Sequence, residues 1–263
     1  AYDQFLARQV AFALSKSGFK AQIVGEAVEI LRRWNGQMDK NAAAPMITEL
    51  LSRQIGDSLV LSLIQPGVIK AVREKLPFPQ NGIRSGTQTR LMGVTGPVVP
   101  DIRPRPQVIE QLLRERPQGW VPNDDWDKWL AARFSLAVQA GRREQGSPAL
   151  KWRWGKMLRW KLEHPVGRQL PFVNRFFNIG PVEMSGSGTS VKQTTAVVGP
   201  SERMVVDLGD LDKSVQNLVT GESGSVASAH YKDQWRAYYV GTSFPMEFEH
   251  VEAKEVLRVR PGK

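Results

Sequence analysis

A chain of 263 residues, 41% of them hydrophobic, is long enough to bury one large core or two small ones. It has no cysteine, which excludes thiol catalysis, disulfides and zinc sites built on thiolates. Its formal charge of +10 would suit an anionic partner only if the basic residues gathered on one face, and along the chain they are dispersed.

The first third reads as helix. From Gln4 to Trp34 apolar residues recur at spacings of three and four, as in Phe5, Val10 and Phe12 and then Ile23, Val24, Ala27, Ile30 and Leu31. SKSGFK breaks this stretch into two helices, and NGQMDKNAAAP follows as a loop. A further helix is expected from about Met46 to Leu63, stopped or kinked by QPG at 65–67. The stretch from Pro77 to Pro106, rich in proline and glycine, reads as an extended surface excursion. Helices return at PQVIEQLLRER and at NDDWDKWLAARFSLAVQAG, where Asn123, Asp124 and Asp125 supply acceptors and negative charge at an N-terminus. No apolar run reaches the ~20 residues that span a bilayer, the longest being SLVLSLI at 58–64.

After Gly146 the signal changes to strands and turns: WRWG, SVKQTTAVV, ERMVVDLG, WRAYYVG and EVLRVRP are short, β-rich and separated by Gly, Ser, Asp and Pro. The expected class is α+β, with a mainly helical region over 1–145, including the excursion at 77–106, and a strand-rich region over 146–263.

Several clusters invite a chemical reading. In SGSVASAHYKDQW, Ser228, His230 and Asp233 are a nucleophile, a base and an orienter by residue type. On a strand, however, Ser228 and His230 would lie about 7 Å apart at Cα, too far for an easy hydrogen bond, and triad members usually come from separate segments. In KWRWGKMLRWK, Trp152, Trp154 and Trp160 alternate with Lys151, Arg153, Arg159 and Lys161. That pattern fits a stacking platform for single-stranded nucleic acid, but two half-buried strands bent at Gly155, tryptophans inward, explain it more simply. SGSGTSVK at 185–192 lacks the spacing of a phosphate loop and reads as a tight turn entering a strand. NDDWD and DLGDLD do not match a calcium loop, and His164, His230 and His250 stand singly without a metal-binding spacing.

Six stretches in order carry a resemblance: EILRRWNGQMDKNAAAP, RPQGWVPNDDWDKWL, LKWRWGKMLRWKLEHPVG, NIGPVEMSGSGTSVKQTT, GPSERMVVDLGDLDKS and TGESGSVASAHYKDQWRAYYVGTSFPMEF. Together they resemble the C-terminal part of the β-chain of penicillin acylases, the penicillin amidase family of N-terminal-nucleophile hydrolases. The resemblance implies an αββα sandwich to which the strands would belong. It also implies a secreted or periplasmic precursor that cuts itself, exposing a serine whose own α-amino group, with a pKa near 8, acts as base. An oxyanion hole and an asparagine would stabilise the developing charge. Linear amides of N-acyl compounds, such as acylated β-lactams or acyl-homoserine lactones, would be the substrates.

Ala1 has no nucleophilic atom, and the family's nucleophile, asparagine and most calcium ligands belong upstream of LRRWNGQMD. No catalytic, cofactor or metal residue is therefore assigned, calcium being left to the full enzyme, and the chain is expected to be inactive without upstream segments of the same precursor. The chain departs from the family pattern at Leu158, where relatives carry histidine, and at Ala229, where they carry proline. On this reading Ser228, His230 and Asp233 lie outside the catalytic set, and neither nucleic acid nor membrane is a partner. The other readings are a basic nucleic-acid-binding module and a non-enzymatic interaction domain; self-association into a homo-oligomer through an unpaired sheet edge is also expected.

Overall fold

The computed structural model describes residues 2–17, 22–63, 104–196, 198–251, 258 and 260. They fall into two compact units, the first of residues 1–162 and 179–198, the second of 163–178 and 199–263.

The first unit is built on helices whose apolar spacing dictates their buried faces. α1 (Tyr2–Ser17) buries Phe5, Leu6, Val10 and Ala13, and α2 (Gln22–Arg32) buries Val24, Ala27 and Leu31. α3 (Ala44–Leu63) buries Met46, Ile47, Leu50, Leu51, Ile55 and Leu59, a broad stripe suited to contact on two sides. In α4 (Pro106–Glu115) proline occupies the first turn, where its missing N–H costs nothing, and Arg116 ends the helix in the left-handed region at φ 48°. α5 (Trp126–Gln145) starts at Asp125, whose carboxylate accepts from the Lys128 amide at 2.9 Å. α5 packs against α3 and α1, and that contact is the centre of the core.

The unit closes with the short helix α6 (Trp154–Met157) and a two-stranded antiparallel sheet, β1 (Arg159–Leu162) against β2 (Ile179–Glu183), in which Trp160 faces Val182.

The second unit has short helices α7 (Pro165–Gln169) and α8 (Asn174–Phe177) and a three-stranded antiparallel sheet in the order β3 (Glu202–Val205), β4 (Val215–Leu218), β5 (Phe244–Pro245). α9 (Trp235–Val240) lies on β4 and is closed by Gly241 at φ 95°.

The mixed α and β composition and the helical N-terminal part match the sequence-based expectation. Individual strands do not all match. ERMVVDLG holds β3, and the second half of KWRWGKMLRWK holds β1. WRWG instead forms a turn and α6, because its amides are taken by a loop in the first third. In SVKQTTAVV the described residues form bends and irregular chain, with one isolated bridge from Gln193 to Ser187. WRAYYVG is α9, a helix capped by Arg203, whose Nη2 donates to the carbonyls of Ala237, Tyr238 and Thr242. SKSGFK from Gly18, QPG, most of the excursion at 77–106 and most of EVLRVRP lie outside the described residues. At the end of that excursion, Pro106 opens α4.

Candidate functional site

The trio singled out by residue type is brought together, but not as a triad. Ser228 caps the 3-10 turn Ala229–Tyr231, its Oγ accepting from the His230 amide at 3.1 Å. His230 Nδ1 lies 2.8 Å from Asp233 Oδ2, at the surface. The dyad exists, while the serine oxygen serves the histidine's own backbone amide, the task of a cap. The flanking residues explain the motif as architecture. Tyr231 donates its hydroxyl to Phe177 O at 3.1 Å, Lys232 Nζ donates to Asn178 O at 2.7 Å, and Gln234 Oε1 accepts from the Leu218 amide at 2.7 Å. Gly221 is tied to the same place: a Cβ there would meet His230 O at 2.1 Å.

The basic and aromatic run buries its rings. Trp152, Trp154 and Trp160 are 1%, 3% and 1% exposed, which removes the stacking platform they would have offered. The run meets two other segments in a seam of the first unit. Trp154 and Gly155 donate their amides to Ala42 O at 3.0 Å and Lys40 O at 2.7 Å, Gly186 donates to Met38 O at 2.7 Å, and Trp154 Nε1 donates to Gly186 O at 2.7 Å. Arg153 pairs with Glu183 and reaches Asn41 Oδ1 at 3.1 Å. Gly155 is needed for this approach, since a Cβ would meet those of Glu183 and Lys40 at 2.8 and 2.9 Å. Segments 38–42, 153–155 and 183–186 therefore form one hydrogen-bonded seam, which sequence spacing gave no means to see.

SGSGTSVK is a ladder of hydroxyls, not a cradle of open amides. The Ser187 amide donates to Ser190 Oγ at 2.8 Å, the Thr189 amide to Ser187 Oγ at 3.2 Å, and Ser190 Oγ to Lys192 O at 2.8 Å. Thr189 Oγ1 then donates to Asp3 Oδ2 at 2.9 Å. Burial pushes the Asp3 carboxyl above its ordinary range, partly offset by that hydrogen bond.

The acidic clusters act first as turn and cap acceptors: Asp124 Oδ1 accepts from the Gly119 amide at 2.6 Å and Asp207 Oδ1 from Gly209 at 2.9 Å. One combination is invisible in the sequence. Asp212 lies beside Glu249 and His250, with one donor atom from each within 4.8 Å of the others, so these are the described residues able to share a cation. Asp212 Oδ1 accepts from the amides of Phe248 and Glu249 at 2.7 and 2.8 Å, and these bonds hold its carboxyl below the ordinary range. His164 has a local task, its Nδ1 accepting from the Val166 amide at 3.2 Å.

Among the described residues no helix is long and apolar enough to cross a membrane. The comparisons with known proteins supply the context. An acyl-homoserine lactone acylase QuiP from Pseudomonas syringae pv. tomato is 31% identical over 178 residues, covering 60% of this chain and 21% of that protein. Its Pseudomonas fluorescens counterpart is 28% identical over 147 residues, 51% of this chain and 17% of its own. A penicillin acylase 2 proenzyme from Pseudomonas sp. is 29% identical over 164 residues, 57% and 20% respectively. The matches thus span about a fifth of these relatives' length. The family model for penicillin amidase matches residues 2–255, nearly the whole sequence, and the chain belongs to the penicillin amidase family.

Proposed function

We propose that this chain is the C-terminal region of an amidase that hydrolyses linear amides of N-acyl compounds, acyl-homoserine lactones or acylated β-lactams, in the periplasm or outside the cell. The family match over residues 2–255 carries the reading, and the names of the two kinds of relative suggest the substrate classes. The nucleophile, its α-amine base and the oxyanion hole then belong to other segments of the enzyme, as does any calcium. The described residues of this region contribute packing, and their strands extend an αββα sandwich completed by the remaining polypeptide.

Two observations support that division. Ser228 Oγ accepts from a backbone amide and His230 Nδ1 lies on the Asp233 carboxylate, contacts that shape a surface turn. In the second unit, β3 has a ladder partner on one side only among the described residues, and Met204, Val205, Val206 and Leu208 there are 54%, 67%, 43% and 90% exposed. An open edge beside apolar side chains favours association, and the remaining polypeptide of the precursor is the occupant this reading assigns.

The test is a pair of assays. The enzyme expressed from the complete reading frame, and this chain alone, are each given an acyl-homoserine lactone and a phenylacetyl amide, with release of the amine followed by mass spectrometry. Turnover by the complete enzyme, undiminished by Ser228→Ala, and none by the chain alone are expected. Turnover by the chain alone that Ser228→Ala abolishes would overturn the reading, as would a complete enzyme that cleaves neither amide.

A further inference from the structure

Within the first unit a hollow of about 560 Å³ opens between α1 and the end of α4, bordered by Arg8, Gln9, Phe12, Leu113, Arg114 and Arg116. Two of its three guanidinium groups are held in place. Arg114 lies with Cζ 4.5 Å from the Phe5 ring centroid and donates through Nη2 and Nε to Glu110 Oε1 at 2.6 and 3.1 Å. Arg116 is fixed at its backbone by the bond from its amide to Leu112 O, and its Nη1 lies 3.0 Å from Asp127 Oδ1. Arg8 is exposed and has no side-chain partner among the described residues. One turn along α1, Phe12 is 49% exposed, and Lys16 sits over that ring at 4.4 Å. Four cations, Arg8, Lys16, Arg114 and Arg116, thus face two carboxylates, Glu110 and Asp127, around a half-exposed aromatic ring.

We propose that this hollow binds a small amphipathic carboxylate, its head taken by Arg8 with Arg114 and Arg116 behind it and its apolar tail laid on Phe12 and Leu113. A planar guanidinium matches a carboxylate bidentately. The hollow is shallow and open to solvent, wider than a bare oxyanion needs, and Phe12 gives the tail an apolar surface to cover. A purely apolar ligand would leave the surplus positive charge unanswered. A purely ionic one would leave Phe12 wet.

The test titrates the full chain with octanoate by calorimetry, beside acetate as a head without a tail and octyl glucoside, below its micelle concentration, as a tail without a charge. Octanoate should saturate one site and bind at least about fivefold more tightly than either control, head and tail each adding about 1 kcal/mol. Arg8→Gln and Phe12→Ser should each weaken octanoate by about fivefold, the size expected of one partly exposed contact. Both side chains are exposed or half-exposed, so the fold should hold, checked by an unchanged denaturation midpoint for Arg8→Gln. Octanoate binding no tighter than acetate, or Arg8→Gln binding octanoate as the parent does, would overturn the proposal.

Discussion

Gly141→Ala and Gly25→Ala are the same chemical change in two helices, and the structure gives them opposite signs. In a helix interior alanine is favoured over glycine by about 1 kcal/mol. Gly25, in α2, has nothing within 4 Å of the added Cβ, so Gly25→Ala should stabilise by about 0.5–1 kcal/mol. Gly141, buried in α5, has the Trp152 ring against it: a Cβ would meet Cζ3 at 2.6 Å, Cη2 at 2.7 Å and Cε3 at 3.1 Å. The indole cannot easily retreat, being 1% exposed and anchored by Nε1 donating to Gly146 O at 2.7 Å. Overpacking of this kind costs about 1–3 kcal/mol, and straining the indole hydrogen bond adds up to about 1 kcal/mol. After the helix-propensity gain, Gly141→Ala should destabilise by about 1–2 kcal/mol. Urea denaturation of the full chain, followed by tryptophan fluorescence and circular dichroism, reads both changes against the parent. A Gly141→Ala variant as stable as the parent, with Gly25→Ala behaving as stated, would refute the assignment of Gly141 to close packing with Trp152.

Truncating Trp154 should cost about 3–5 kcal/mol, since the ring is 3% exposed and its Nε1 donates to Gly186 O; a melting temperature unchanged by Trp154→Ala would contradict the seam. Arg203→Gln should destabilise the second unit by about 1–3 kcal/mol, because carbonyls at the end of α9 lose their donor and Tyr238 loses a cation 4.8 Å from its ring centroid, measurable as faster amide exchange over 235–242. Burial raises the Asp3 pKa in the folded state above its ordinary value of 3.8, so folding is favoured at low pH and that advantage is lost as pH rises through the raised pKa. Asp3→Asn, which keeps an acceptor for Thr189, should therefore be more stable than the parent at pH 7, with the gap closing towards pH 4; a pH-independent gap would sink this. Asp212 has the opposite sign: the amides of Phe248 and Glu249 lower its pKa, so its contribution is present above the ordinary 3.8 and lost as pH falls through the lowered value, and Asp212→Asn should flatten that acid limb.

The helical half was legible because its signal is long. In α3 the buried residues recur from Ala44 to Leu59, and no local alternative satisfies that spacing. The Asp125 cap of α5 was readable for a similar reason, a short-range bond between a side chain and an amide three residues on. The family, too, lay in the order of six motifs and needed no coordinates. The short elements after Gly146 were another matter. WRAYYVG has the aromatic and β-branched content of a strand, yet it is a six-residue helix because Arg203, distant in sequence, caps its carbonyls and Tyr238 is buried. WRWG alternates like a strand, yet it turns because Lys40 and Ala42 take its amides. Periodicity over four to seven residues is too brief to outweigh such contacts, and an element this short has little stability of its own. The same limit holds for the surface chemistry. Asp212, Glu249 and His250 meet only through the fold, and so do Arg8, Arg114 and Arg116, because chain order records neither which loops return to one place nor which helix faces another.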